Sequence, residues 1–90
     1  MAQNIIQQKM QELANACYLA LIQNDKMAVT RVVVRVSAVG NAFITPRFPM
    51  RYMFPSDMLL ILVWCSEHRI SAQVVCHLSA PSVKFEGYAL

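Results

Sequence analysis

Eight consecutive apolar residues, Met58-Leu59-Leu60-Ile61-Leu62-Val63-Trp64-Cys65, constrain this chain more than any other stretch. Pro55-Ser56-Asp57 stands before the run and Ser66-Glu67-His68-Arg69 after it, and both flanks are turn chemistry. A helix that crosses a bilayer needs about 20 apolar residues, so this run is too short to span one. A short apolar run between turn signals reads as a strand buried on both faces. That makes 58–65 the central strand of a sheet, and the rest of the chain has to supply its neighbours.

Residues 3–24 read as a helix. Ile6, Met10, Leu13, Cys17 and Leu21 recur at helical spacing, and Asn24-Asp25 ends the pattern. Residues 28–39 alternate with a period of two, as a strand does. Thr30, Val32, Val34, Val36 and Ala38 form one face, and Arg31, Val33, Arg35 and Ser37 the other. Gly40-Asn41 suits a two-residue hairpin turn, which sets Val39 opposite Ala42 and puts Phe43 on the valine face of a return strand, 42–45. Residues 46–56 hold three prolines and read as a long loop. The central strand pairs with 69–79 through a turn at 66–69. Leu59, Ile61, Val63 and Cys65 then form a core face with Ile70, Ala72, Val74 and Cys76. Pro81-Ser82 breaks the chain, and 83–86 forms a short edge strand. The expectation is a single α+β domain over 1–90. One N-terminal helix packs on one face of a four- or five-stranded antiparallel sheet, in the order α-β-β-loop-β-β-β.

Hydrophobic residues make up 57% of the chain and charged residues 14%, against about 25% charged in an average domain. Ninety residues have little interior in which to hide so much apolar surface. The excess points to a protein interface, most simply a homodimer. The second face of the expected hairpin, with Leu60, Leu62, Trp64 and Val75, suits such a contact, as does Tyr18 on the helix flank. A net charge of +3 permits a nucleic-acid partner without demanding one. Three cysteines give no disulfide framework, and no secretory signal pattern opens the chain. Both fit a reducing cytoplasm.

Catalytic signatures are missing. The chain has two glycines, Gly40 and Gly87, and no phosphate loop. Its five carboxylates are scattered. Cys65, His68, Cys76 and His77 do not match a zinc-site spacing, and Cys65 with His68 lacks a third group to orient a nucleophile. No cofactor or metal is expected. The 46–56 loop is the strongest candidate site, with Arg47, Phe48, Met50, Arg51, Tyr52, Met53 and Phe54. Aromatics, methionine and arginine are enriched at protein interfaces. The same arginines and rings, extended by Arg31 and Arg35 on the sheet, also suit a single nucleic-acid strand.

The expected function is therefore a small non-enzymatic module that binds a larger protein partner. A basic nucleic-acid-binding regulator is the alternative. In size and lack of catalytic parts the chain resembles the general type of small inhibitor or adaptor proteins encoded by phages and other mobile elements.

Overall fold

The computed structural model of the protein describes residues 4–90. The expected start of the helix at residue 3 lies outside the described residues. Helix α1 runs Ile5–Asn24, followed by a 3-10 turn at Lys26–Thr30, strand β1 at Val32–Val36 and strand β2 at Ala42–Pro46. Helix α2 runs Pro55–Glu67, then strand β3 at Ile70–His77 and strand β4 at Ala80–Tyr88. The four strands form one antiparallel sheet in the order β1-β2-β4-β3. Both helices lie on one face of it. The α+β class and the N-terminal helix on a four-stranded antiparallel sheet are as expected. Among the described residues no helix is long and apolar enough to cross a membrane.

Helix α1 begins where the Asn4 side chain accepts a hydrogen bond from the Ile6 N–H at 2.7 Å, which satisfies one orphan donor of the first turn. Met10, Ala14, Cys17 and Leu21 form its buried stripe. The helix stops at Asp25, as expected, because the Asp25 carboxylate turns to cap the next segment and accepts from the Met27 N–H at 3.0 Å. That cap winds 26–30 into a 3-10 turn with Ala28 fully buried. The expected strand 28–39 is thus shortened to Val32–Val36.

The β1–β2 register also differs from the expectation. Val36 pairs with Ala42 and Arg35 with Phe43, where the two-residue turn would have paired Val36 with Thr45. The offset is odd, so Phe43 moves from the valine face to the arginine face. The cause is long-range. The Gln7 side chain donates to Val39 O at 3.0 Å and to Asn41 Oδ1 at 3.2 Å, and Gln11 donates to Gly40 O at 2.9 Å. These bonds hold 37–41 as a longer loop, closed by Gly40 N–H donating to Ser37 O at 2.9 Å. Gly40 has φ +93°, and a Cβ there would meet Gln7 Oε1 at 3.1 Å.

The central apolar run is a helix. Pro55 occupies the first helical position, where its missing N–H costs nothing. Asp57 sits in the first turn, where the helix dipole favours a carboxylate. Asp57, Ile61 and Cys65, four residues apart, are its buried positions. The expected strand 58–65 and its core face are therefore corrected. Ile61, Cys65 and Ile70 are buried, but Leu59, Val63 and Val74 are exposed at 63%, 44% and 50%. The expected turn at 66–69 is the end of α2, with Arg69 left-handed at φ 55°.

The partner of β3 is β4. His77 pairs with Ala80 across a Leu78-Ser79 turn whose φ angles are 51° and 64°. The expected edge strand 83–86 is a central strand that extends through Pro81. Proline is tolerated there because the β2–β4 ladder stops at Ile44 and Val83, leaving Pro81 only one neighbouring strand. Phe85, Val83, Ile44 and Val32 carry the core between sheet and helices, with Met10, Cys17 and Ile61 above them.

Candidate interaction surfaces

Two surfaces of the domain are unusual, and they lie on opposite sides. The first is the outer side of the helix layer. At 100° per residue, Leu59 and Val63 project away from the Ile61 face of α2, and Leu60 and Trp64 project toward α1. A groove of about 110 Å3 separates the helices, with Leu60, Val63 and Trp64 on one wall and Cys17 and Ala20 on the other. Between Asp57 and Glu67 the helix carries no charge. The His68 ring stacks on Trp64 at 3.8 Å, with Nδ1 2.8 Å from Trp64 O, so His68 is not paired with Cys65. Cys17 and Cys65 meet beneath the groove. A hydrogen bond to Cys65, together with burial, pushes the Cys17 thiol well above the ordinary range, so it stays protonated and unreactive.

The second surface is the open face of the sheet. Arg35 pairs with Phe43, Phe43 with Lys84 and Lys84 with Gln73, so these four form one row across all four strands. No helix covers this face, yet Phe43, Thr45 and Ser82 are buried. Sheet twist raises diagonal corners toward one another. Here the end of β1 and the start of the β3–β4 turn line a common cleft. The His77 ring lies on Phe43 at 4.1 Å and 12°. Two clefts result, of about 200 and 490 Å3, and Arg35, His77 and Leu78 line both. Phe48, Met50 and Arg51 complete the smaller one.

The residues singled out in the sequence divide between these surfaces and the interior. Arg35, Phe48, Met50 and Arg51 come together in the sheet cleft. Arg31 does not join them. Its Nε donates to Asp57 Oδ2 at 2.9 Å, and its terminal nitrogen donates to Asp57 Oδ1 at 3.1 Å and Asp25 Oδ2 at 2.7 Å. Its guanidinium also covers the Phe54 ring at 4.8 Å, and Phe54 stacks on Tyr52 at 6.1 Å. Arg47 is equally committed, donating to Val29 O at 2.8 Å and to the Tyr18 hydroxyl at 3.2 Å. Met53 is turned into the core and is not offered on the loop surface. The expected interface residues do not share a face. Leu60 and Trp64 line the helix groove, Leu62 lies on the other flank of α2, Tyr18 is tied to Arg47, and Val75 pairs with Ser82 on the sheet.

Leu78, Val63 and Leu59 are exposed residues that the strand reading missed. The helical signal at Pro55 and Asp57 would have exposed the last two. Among the described residues no three of His, Cys, Asp and Glu gather closely enough to hold a metal ion.

The Arg31 hydrogen bond, followed by that from the Met27 N–H, holds the Asp25 carboxyl below its ordinary value of 3.8. The folded state therefore favours the ionised form. The resulting stabilisation is complete above the ordinary value and is lost as pH falls through the lowered folded one. An Asp25→Asn variant is expected to unfold at lower temperature than the wild type at neutral pH. The gap should close as pH drops below 3.8; a gap that stays constant with pH would contradict the pairing.

The chain matches no known family, no curated protein and no solved structure.

Proposed function

We propose that this chain is a small non-enzymatic protein-binding module of the inhibitor or adaptor type, which works by laying the outer surface of α2 against a protein partner. One observation carries the reading. A helix that is apolar all round belongs in an interior, yet Leu59 and Val63 face water on one side of α2. An uncharged apolar strip beside a groove is the geometry of an interface core. An uncharged apolar strip of this kind can pack on the same strip of a second copy, which favours a homodimer, and it also suits a larger protein partner. The size class is that of phage and mobile-element inhibitors and adaptors. Cys17, Cys65 and Cys76 are free thiols, which fits a reducing cytoplasm.

The test is light scattering after size exclusion on the wild type and on a Leu59→Glu, Val63→Glu double variant. The wild type is expected to run as a dimer at tens of micromolar, and the variant as a folded monomer. A wild type that stays monomeric, and that retains the same proteins from a lysate as the variant does, would remove this reading.

A further inference from the structure

The open face of the sheet differs in chemistry from the helix strip. We infer that its twin clefts form a binding site for single-stranded nucleic acid, with phosphates held by Arg35 and Arg51 in the clefts and by Lys84 beside them, and a base stacked on Phe48. The argument begins with which cations are free. Arg31 and Arg47 are spent on internal partners. Among the described residues, Arg35, Arg51 and Lys84 make no ion pair and no side-chain hydrogen bond. All three belong to the sheet face or the loop beside it, while the two other unpaired cations, Lys26 and Arg69, lie apart, in the 3-10 turn and just after α2. No carboxylate lines either cleft. Asp25 and Asp57 are neutralised by Arg31, Glu12 and Glu67 ride on the helices, and Glu86, exposed two residues beyond Lys84 on β4, stands outside both clefts. Clefts lined by unpaired arginines and by no acid attract an anion.

Shape narrows the choice. The two clefts join at Arg35, His77 and Leu78, so they form one trough and not a closed pocket for a compact ligand. Arg35 and Lys84 stand two strands apart, about 10 Å, with a ring pair between them. Phe48 is 77% exposed beside Arg51, and an open ring next to a guanidinium is what an unstacked base uses. A duplex keeps its bases stacked on one another and leaves no base face for Phe48. An acidic peptide would answer the charges but gives Phe48 no flat partner.

Fluorescence anisotropy with a labelled ten-nucleotide single strand tests this. Binding is expected at low salt, with a log–log salt slope of about −2 for three phosphate contacts. An Arg35→Ala, Arg51→Ala variant should bind about tenfold more weakly or worse, with the slope reduced to about −0.7. Phe48→Ala should weaken binding about fivefold or more without changing the slope. A Lys9→Ala, Lys26→Ala variant has the same charge change away from the face and should stay within about twofold of wild type. Thermal unfolding of each variant establishes that it is folded. Any of three results would overturn the assignment: no binding at low salt, equal losses in the two double variants, or displacement of the strand by a duplex or a polyglutamate peptide at equal concentration.

Discussion

Replacing Arg31 with methionine is expected to destabilise the protein by about 3 to 5 kcal/mol, the cost of leaving a buried charge without its partner. Asp57 is the charge concerned. Its side chain is 3% exposed and that of Arg31 13%, so water cannot replace the two hydrogen bonds that the guanidinium supplies. The fork geometry matters as much as the charge. A single guanidinium reaches both Asp57 oxygens and Asp25, and a lysine has no such fork. Arg31→Lys should therefore recover only part of the loss. An Arg31→Met, Asp57→Leu double variant should recover most of it, because no buried charge is left unpaired. A domain of this size has about 5 to 13 kcal/mol in total, so the single variant should unfold at much lower urea. A cost under about 1 kcal/mol would place the pair among ordinary surface ion pairs. The pair fixes the start of α2 against the entry to β1, which gives it architectural reach.

This pair also shows where a sequence stops being informative. Arg31 and Arg35 are four residues apart and look alike in an alternating pattern. Their fates differ because Asp57 lies 26 residues further on and nothing near Arg31 signals it. Arg47 is claimed in the same way by Tyr18, 29 residues away. Composition alone marks the loop as unusual, and Phe48, Met50, Arg51 and Arg35 do share a cleft. Which arginines stay free depends on contacts that no local pattern encodes.

The strands failed for related reasons. β4 reads as broken at Pro81, but an unpaired flank at that position removes the penalty. The turn before it, Leu78-Ser79, is left-handed at both residues and carries none of the glycine or asparagine that would have marked it. The first hairpin was visible as two strands, and α1 was visible from its stripe. The hairpin register was not, since Gln7 and Gln11 set the loop from a distance.

The largest revision concerns 58–65, and single truncations there should distinguish the two folds. On a strand, Leu59, Ile61 and Val63 would share one face and cost alike. On α2 Ile61 stands 200° from both Leu59 and Val63, and of the three only Ile61 is buried. Ile61→Ala is therefore expected to cost about 2 to 5 kcal/mol, and Leu59→Ala and Val63→Ala about 0.5 kcal/mol or less in the monomer. Urea unfolding at low protein concentration measures this. Equal costs at all three positions would sink the helix. The run misleads because its period is hidden: with apolar residues on every side, neither a repeat of two nor one of 3.6 stands out. Pro55 and Asp57 hold the deciding information, since a proline followed by a carboxylate is also a helix start. Repeating the measurement at high concentration separates packing from association. If the outer strip of α2 joins two copies, Leu59→Ala and Val63→Ala become costly only there, because a dimer stabilises its folded protomers by mass action. Ile61→Ala should cost nearly the same at both concentrations, since its methyl groups fill the interior of one chain.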